Sequence, residues 1–241
     1  MDLIEVISLA KYFGEVKALD DVNFEVREGE SFGLVGESGS GKTTLGRIIL
    51  RLIGASDGGV VYEGGFSRKD YQVVFQNPYT SLDPRMKIKE ILEEPLRIHG
   101  LKKDIAGILS SVELDPSYVD KYPHELSGGE RQRIGIARAI SVEPRFLLLD
   151  EPVSSLDMTI QAEILKLIKR IKKELGLTLM IIAHDISVIR CMCDRVGVLR
   201  GGDLLEVGEV KSVLTAPQHS YTKLLIESVP RLFDQVKIAG G

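Results

Sequence analysis

The sequence predicts an α/β fold with a mostly parallel sheet, because apolar segments of strand length alternate with helical segments along its second half. The strand-like segments include RFLLLD, LTLMIIAHD and RVGVLRGG, and IQAEILKLIKRIKKEL is the longest helical segment between them. Short strands without a polar face are typical of a parallel sheet that helices cover on both sides. A glycine-rich segment, GESGSGKTT, follows another apolar strand and opens a helix, as ligand loops of such sheets do.

The N-terminal region alternates with the period of a strand in LIEVISLA, ALDDVNFEV and SFGLVG, with a tight turn predicted at Gly29 and Glu30. After the glycine-rich segment, TTLGRIILRLIG has helical spacing, and Gly54 is its predicted C-cap. A short strand is predicted in SDGGVVYEGG and another in YQVVFQ. We therefore expect β structure before and after the first helix.

Residues 77–142 differ in character, since they combine helical patterns with Pro and Gly and show no strand pattern before RFLLLD. This predicts a helical subdomain inserted into the α/β domain. The predicted organisation is a core with an antiparallel β region formed by residues 1–76 and 143–230, a helical subdomain at 77–142, and a C-terminal tail at 231–241.

Composition favours a soluble cytosolic protein. The 241 residues carry a net charge of −4, so no overall basic field indicates a nucleic-acid or membrane-surface protein. No apolar run approaches the ~18 residues of a membrane span, and MDLIEVISLAKYFG has acids where a signal peptide has bases. Cys191 and Cys193 are expected to be buried small side chains in a reducing compartment rather than metal ligands.

The segment GESGSGKTT matches the phosphate-loop pattern from Gly36 to Thr43. Its glycines allow backbone N–H groups to surround a phosphate, Lys42 reaches the β/γ oxygens, and the Thr43 hydroxyl can hold Mg²⁺. These features predict ATP and Mg²⁺ as ligands. The candidate nucleotide-binding residues of this loop are Gly36, Ser38, Gly39, Gly41, Lys42, Thr43 and Thr44.

Polar residues at the ends of other apolar strands are expected to face this loop, where ligands of parallel sheets bind. Asp150 can hold the metal through water, and Glu151 can orient or deprotonate the attacking water. A solvated acidic turn is the alternative for this pair. His184 is expected to contact the γ-phosphate, and Gln76 to sense metal or water, so the metal set is Thr43, Gln76 and Asp150. The predicted catalytic residues are Glu151, His184, Gln76 and Lys42, whereas His99, His124 and His219 are expected to be surface or packing residues.

A second glycine loop, LSGGE, begins another helix with Ser127, Gly128 and Gly129. Open N–H groups, a hydroxyl and the positive end of a helix dipole make an anion site. Because the first loop already binds the nucleotide of this chain, we expect the second loop to face a nucleotide on another copy or on a homologous partner.

Together, GESGSGKTT, VVFQ, LSGGERQR, RFLLLDEP, SSLD and AHD resemble the ATP-binding cassette (ABC) family in type and order over essentially the whole chain. The resemblance implies a P-loop NTPase core of the ABC ATPase type. It also implies that Ser127 and Gly129 close over the γ-phosphate of the partner and that Asp157 couples the two sites. An aromatic residue is expected to stack on adenine, either Phe13, the first choice, or Tyr12.

The segments FQNPYTSLDPRMKIKEILEEPLRIHG and PQHSYTKLLIESVP look like those of ATPase subunits of oligopeptide and dipeptide importers, a group that includes nickel importers. The resemblance implies that the segment after Gln76 docks on a membrane subunit, at the inner face of the cell membrane. The chain departs from the pattern at Glu130, where Gln is usual, and at Ser155, where Ala is common. It is also shorter between Lys42 and Gln76, and it ends soon after Pro230, where larger members carry an extension.

The predicted function is ATP hydrolysis that powers uptake of peptides or a related solute, as a homodimer or a heterodimer with a sister ATPase. One alternative is a soluble cassette ATPase acting on DNA or the ribosome, which the absence of a basic stripe and of a coiled-coil or zinc insertion disfavours. The others are an ATP-binding module without turnover, and half of an exporter. No nucleic-acid partner is expected, and the sequence of an ATPase subunit does not distinguish peptide, nickel or a related solute as the cargo.

Overall fold

The structure, a computed structural model, describes residues 1–76 and 81–227. Two sheets form its framework, with strand orders β2-β1-β4 and β5-β6-β7-β3-β8-β9. The strands are β1 (Asp2–Phe13), β2 (Val16–Arg27), β3 (Ser31–Val35), β4 (Asp57–Tyr62), β5 (Tyr71–Val74), β6 (Phe146–Asp150), β7 (Thr178–Ala183), β8 (Arg195–Arg200) and β9 (Asp203–Glu209).

In the larger sheet, β5, β6, β7, β3 and β8 are parallel neighbours, and β9 pairs antiparallel with β8 at the edge. Alternate side chains of β6 enter two separate cores: Leu147 and Leu149 pack in one, Phe146 and Leu148 in the other. Both faces of the sheet are therefore buried, which explains why its strands have no polar face. The predicted mostly parallel sheet is confirmed.

The smaller sheet is antiparallel, as the N-terminal pattern predicts. It packs over the larger sheet, and the rings of Phe24 in β2 and Phe32 in β3 stack with centroids 4.9 Å apart. Arg195 at the start of β8 adds ion pairs to Glu25 at 2.7 Å and to Glu30 at 3.3 Å. These contacts fix β2 against the first residues of β3 and β8.

The helices are α1 (Lys42–Ile49), α2 (Ile88–Ile98), α3 (Ile105–Ser111), α4 (Gly128–Ile140), α5 (Met158–Leu175), α6 (Ile186–Met192), α7 (Val210–Thr215) and α8 (Ser220–Glu227). Between β5 and β6, the described residues form α2, α3 and α4 with two short 3₁₀ turns and no strand. The helical character predicted there is thus present, while the subdomain boundaries remain a prediction. Residues 77–80 and the predicted tail at 231–241 lie outside the described residues.

The first helix ends earlier than the sequence predicts. Instead of continuing to Gly54, α1 ends at Ile49, and Arg51 adopts a left-handed φ of 55°. The Leu52 N–H donates to the Arg47 carbonyl and the Arg51 N–H to the Ile48 carbonyl, each at 2.9 Å. These two bonds are a Schellman motif, which satisfies the last carbonyls of the helix. Glycine usually occupies the left-handed position, so an arginine there gave no signal in the sequence.

The prediction for the cysteines is wrong for one of them. Cys191 is exposed, whereas Cys193 is partly buried, and both are free thiols. Burial raises the pKa of the Cys193 thiol well above its ordinary value. None of the helices within residues 1–76 and 81–227 is both long enough and apolar enough to cross a membrane.

Candidate functional site

Four parallel strands end side by side, and several predicted site residues follow directly after their carboxyl ends. Val35 of β3 is in register with Ala183 of β7, and Asp150 of β6 is in register with Ile182. Val74 of β5 is in register with Leu149 of β6. The residues that follow these positions therefore emerge side by side: Gly36 after β3, Glu151 after β6, His184 after β7 and Gln76 shortly after β5.

The phosphate loop is held so tightly at its two ends that only glycine fits there. A Cβ on Gly36 would lie 2.0 Å from the Leu199 carbonyl oxygen, and one on Gly41 would lie 2.5 Å from the Ala18 carbonyl oxygen. Gly41 also has a φ of 106°, which side chains rarely adopt. The loop is thus seated between the end of β8 and the β1–β2 hairpin.

Lys42 lies inside this loop with only 6% of its surface exposed. Its Nζ donates to the carbonyl oxygens of Gly36 at 2.8 Å and Glu37 at 2.7 Å. Burial lowers the pKa of Lys42, while the nearby carboxylates of Glu151 and Asp150 act in the opposite direction. The ammonium group therefore sits where phosphate oxygens could replace the two carbonyls as its partners.

Asp150, the last residue of β6, is 9% exposed. Burial raises the pKa of its carboxyl group, and the Glu151 carboxylate raises it further. Arg47, Lys42 and a hydrogen bond from the Thr43 side chain oppose this shift. The Thr43 hydroxyl and the Asp150 carboxylate thus form a pair of adjacent oxygen donors, which is the donor type that Mg²⁺ prefers beside nucleotide phosphates.

Glu151 joins two other predicted residues. The Gln76 Nε2 donates to Glu151 Oε2 at 2.8 Å, and His184 Nδ1 lies 3.3 Å from the same oxygen. The Glu151 side chain is 18% exposed and that of His184 is 60% exposed, so the cluster opens to solvent. Glu151 also has a left-handed φ of 48°, with its N–H held by the Ile182 carbonyl at 2.9 Å.

The second glycine loop begins α4 with a capping box. Ser127 Oγ accepts from the Glu130 N–H at 3.3 Å, and Glu130 Oε2 accepts from the Ser127 N–H at 2.7 Å. The Tyr118 hydroxyl donates to Glu130 Oε1 at 2.6 Å, and this bond is the first cause of the lowered pKa of Glu130. The departure at Glu130 thus completes the capping box and adds a bond to Tyr118, a contact that the sequence did not predict.

Gly129 has a packing role as well. A Cβ on Gly129 would lie 2.7 Å from Cγ2 of Ile160, so glycine lets α4 approach the start of α5. Asp157 caps α5 by accepting from the N–H groups of Thr159 and Ile160, each at 3.1 Å. In the described part of the chain, Ser127 and Asp157 form hydrogen bonds only at these helix starts, and the single chain does not bond them to its own phosphate loop.

Both aromatic candidates for adenine stacking are accessible at the end of β1. Phe13 is 52% exposed and Tyr12 is 44% exposed. The Lys11 Nζ lies 5.1 Å from the centroid of the Phe13 ring. The hairpin that carries them also supplies Ala18, whose carbonyl oxygen meets the phosphate loop at Gly41. Both rings are therefore accessible to a base bound beside this hairpin.

One contact of the phosphate loop is not predicted by the sequence. The Glu37 N–H donates to the Tyr221 hydroxyl of α8 at 3.1 Å. Tyr221 belongs to the segment PQHSYTKLL, which the sequence singled out only as a subfamily resemblance. The resemblance of this segment to importer ATPase subunits was therefore the only sequence signal at Tyr221, and it indicated no role for the side chain.

A phosphate loop after a central parallel strand, with an acidic strand end beside it, is the plan of P-loop nucleotide-binding proteins. This chain has that plan. Comparison with known proteins narrows the class. The family model described as ABC transporter matches residues 19–154.

Two curated relatives come from Bacillus subtilis (strain 168). The putative oligopeptide transport ATP-binding protein YkfD is 45% identical over 254 residues, covering 95% of this chain and 77% of the relative. The oligopeptide transport ATP-binding protein OppF is 44% identical over 252 residues, covering 95% of this chain and 82% of the relative.

Solved structures agree with these relatives. CbiO1 from Clostridium perfringens, part of the ABC transporter complex cbiONQ, has a TM-score of 0.76 at 26% identity and covers 93% of this chain and 98% of its own. The ATP-binding cassette MJ0796, a dimer in a post-hydrolysis state with ADP and Pi, has a TM-score of 0.73 at 30% identity. It covers 86% of this chain and 98% of its own. The chain belongs to the ABC transporter family, and the predicted family and fold class are confirmed.

Proposed function

We propose that the chain is the ATP-hydrolysing subunit of an ABC importer for peptides or a related small solute. The observation that carries this proposal is the meeting of Gln76, Glu151 and His184 at the strand ends beside the phosphate loop. A module that only stored ATP would not require a carboxylate held at this place. The membership in the ABC transporter family supports the same activity.

The phosphate loop binds the nucleotide in this proposal. Backbone N–H groups between Gly36 and Thr44, including those of Ser38 and Gly39, surround the phosphates, and Lys42 exchanges its carbonyl partners for β/γ oxygens. Thr43, Asp150 and Gln76 would hold Mg²⁺, which supplies charge neutralisation at the phosphates when bound. The raised pKa of Asp150 fits this role, because burial and the Glu151 carboxylate disfavour its charged form and a bound cation would favour it.

Glu151 is the general base. Its Oε2 is engaged by Gln76 and His184, so among the described residues Oε1 remains to accept the proton of the attacking water. Gln76 fixes the carboxylate, and the exposed His184 contacts the γ-phosphate. The left-handed backbone of Glu151 is a strained conformation of the kind that clusters at active sites.

Two copies, or this chain and a sister, close head to tail over two ATP molecules. Ser127 and Gly129 of one chain face the γ-phosphate bound by the other, Asp157 couples the sites, and Phe13 or Tyr12 stacks on adenine. The relative MJ0796 supports this arrangement, since it was solved as a dimer with ADP and Pi. ATP drives closure only because it binds the closed dimer more tightly than the open one.

Peptides are the proposed cargo class because the relatives YkfD and OppF are oligopeptide transport ATP-binding proteins. The proposed location is the inner face of the cell membrane. The segment after Gln76 would dock on the membrane subunits. In the described part of this segment, Arg85 is largely exposed and forms an ion pair with Asp83, two residues before it.

Glu151→Gln tests the hydrolytic role. The amide keeps the size of the side chain but cannot accept a proton, so we expect ATP hydrolysis to fall by about 100-fold or more while ATP affinity is retained. Steady-state phosphate release and calorimetric binding measure the two effects. Glu174→Gln, at the exposed end of α5, is the control and should hydrolyse like the unmodified protein. Unmodified turnover in Glu151→Gln would exclude Glu151 as the base.

Docking is tested by a photo-crosslinking residue at Arg85 in the source cells. We expect an integral membrane protein in the adduct, because the Arg85 side chain is 88% exposed on the proposed docking segment. The same probe at Lys173, exposed on α5, is the matched control and should not give that adduct. A soluble or nucleic-acid adduct from Arg85 without a membrane protein would refute the transporter assignment.

A further inference from the structure

The segment that begins α8 is built around one buried aromatic residue. Tyr221 is 2% exposed, and the Arg200 guanidinium lies 4.6 Å from the centroid of its ring. The turn before the helix is held by Glu206 of β9, which accepts from the N–H groups of Gln218 at 3.0 Å and His219 at 3.2 Å. Arg200 of β8 therefore holds the Tyr221 ring, and Glu206 of β9 holds the turn that leads into α8.

The Tyr221 hydroxyl reaches the phosphate loop from this fixed position. It accepts the Glu37 N–H at 3.1 Å. The Glu37 carbonyl oxygen accepts from Lys42 Nζ at 2.7 Å and from the Ser40 N–H at 3.2 Å. Residue Glu37 is thus anchored on its N–H side by α8 and on its carbonyl side by the loop and its lysine.

A second bond ties the loop to the same part of the sheet. The Gly202 N–H, in the turn between β8 and β9, donates to the Ser40 carbonyl at 3.1 Å. Two hydrogen bonds therefore connect the phosphate loop to this region, one to α8 and one to the turn between β8 and β9. Tyr221 supplies the bond that involves a side chain. A hydrogen bond between a buried hydroxyl and a backbone N–H contributes about a factor of 5–10 to an equilibrium that depends on it.

We propose that Tyr221 is a positioning residue for nucleotide binding. Its hydroxyl, bonded to the Glu37 N–H, holds the first turn of the phosphate loop in the conformation that binds phosphate. Tyr221 does not touch the nucleotide. It acts through the loop, so the C-terminal segment PQHSYT sets the affinity for ATP. This inference rests on the proposed ATP-binding function.

Tyr221→Phe tests the inference, because it removes the hydroxyl and keeps the ring against Arg200. We expect the KM for ATP to rise by about fivefold with kcat within about twofold, since an interaction that shapes binding acts on affinity. Hydrogen–deuterium exchange of peptides covering residues 36–41, without nucleotide, should become faster in the same variant.

Tyr62→Phe is the matched control. The Tyr62 ring also lies against an arginine, with Arg51 at 4.1 Å, and its hydroxyl also bonds the backbone, at the Ile49 carbonyl at the far end of α1. We expect it to leave KM and loop exchange unchanged. Equal effects in both variants, or no effect of Tyr221→Phe on either readout, overturn the positioning role.

The two proposals fail differently. If the unmodified protein binds no ATP, the proposed function is wrong, and the exchange measurement alone decides whether Tyr221 holds the loop. If the unmodified protein binds and hydrolyses ATP, and Tyr221→Phe matches it in KM and in exchange, only the inference about Tyr221 is wrong.

Discussion

Glu151 combines a chemical role that its sequence context predicts with a backbone conformation that the sequence does not. Two acids after an apolar strand beside a phosphate loop indicate a metal-binding and a water-activating residue. The φ of 48° at Glu151 and the bond from its N–H to Ile182 arise from the path of the chain after β6. The side chain is thereby turned toward Gln76 and His184, and the solvated-turn alternative does not account for that cluster.

Glycines in the two loops also differ in what the sequence revealed. For Gly36 and Gly41, the motif predicts close backbone approach, and the structure shows that approach at Leu199 and Ala18. For Gly129, the sequence predicted an open backbone for an anion. The structure adds contact with Ile160 of α5, a reason that only the packing of two helices provides.

At the scale of elements, the starts of α4 and α5 follow local sequence rules that the end of α1 does not. Ser127 with Glu130 and Asp157 before α5 are standard capping patterns, and each caps its helix. The end of α1 at a left-handed Arg51 has no such signal. The carboxylate of Glu130 connects the start of α4 with Tyr118, in the turn Pro116–Asp120, so the element also depends on a tertiary contact.

Glu130→Gln tests this cap through its pH dependence. The folded-state pKa of Glu130 is lowered, so its charge contributes stability above the usual glutamate value of 4.5 and loses that contribution as pH falls through the lower folded pKa. We expect the variant to be about 1 kcal/mol less stable than the unmodified protein at pH 7, because the charge-assisted bonds weaken. The difference should shrink below pH 4.5, as measured by urea unfolding.

The contact with Tyr118 is separated from the cap by a double-mutant cycle with Tyr118→Phe. The two substitutions should cost less together than the sum of their separate costs at pH 7. A cost of Glu130→Gln that is the same at pH 7 and at pH 4 would show that the charge does not stabilise the helix start.

At the scale of the whole molecule, one chain holds a phosphate loop and a second glycine loop at the start of a different helix, α4. Ser127 is bonded within the start of α4 rather than to the phosphate loop, as expected if its ligand comes from another chain. The proposed membrane partner and the proposed dimer therefore belong to an assembly of which this chain would be one component.

Ser127→Arg tests that assembly. A long cation at the start of α4 would block closure on the partner, so we expect ATP hydrolysis to fall by roughly 100-fold, with ATP binding to the single chain within about twofold. Phosphate release, calorimetry and light scattering measure hydrolysis, binding and dimer formation. Ser127→Ala loses the hydroxyl and the cap without adding bulk, so it should lose less hydrolysis than Ser127→Arg, and the difference measures the effect of the bulk. Weaker ATP binding by isolated Ser127→Arg chains would contradict a site formed in trans.

The sequence by itself determined the family, the α/β class, the phosphate loop and the strand-end residues, because these depend on local patterns and on the rule that parallel strands end at one edge. The tertiary structure alone decided which groups meet. Gln76 bonds Glu151 across 75 positions and Glu37 bonds Tyr221 across 184 positions. Such pairs follow from how sheets and helices pack, and no local pattern encodes the distance between residues so far apart in the chain.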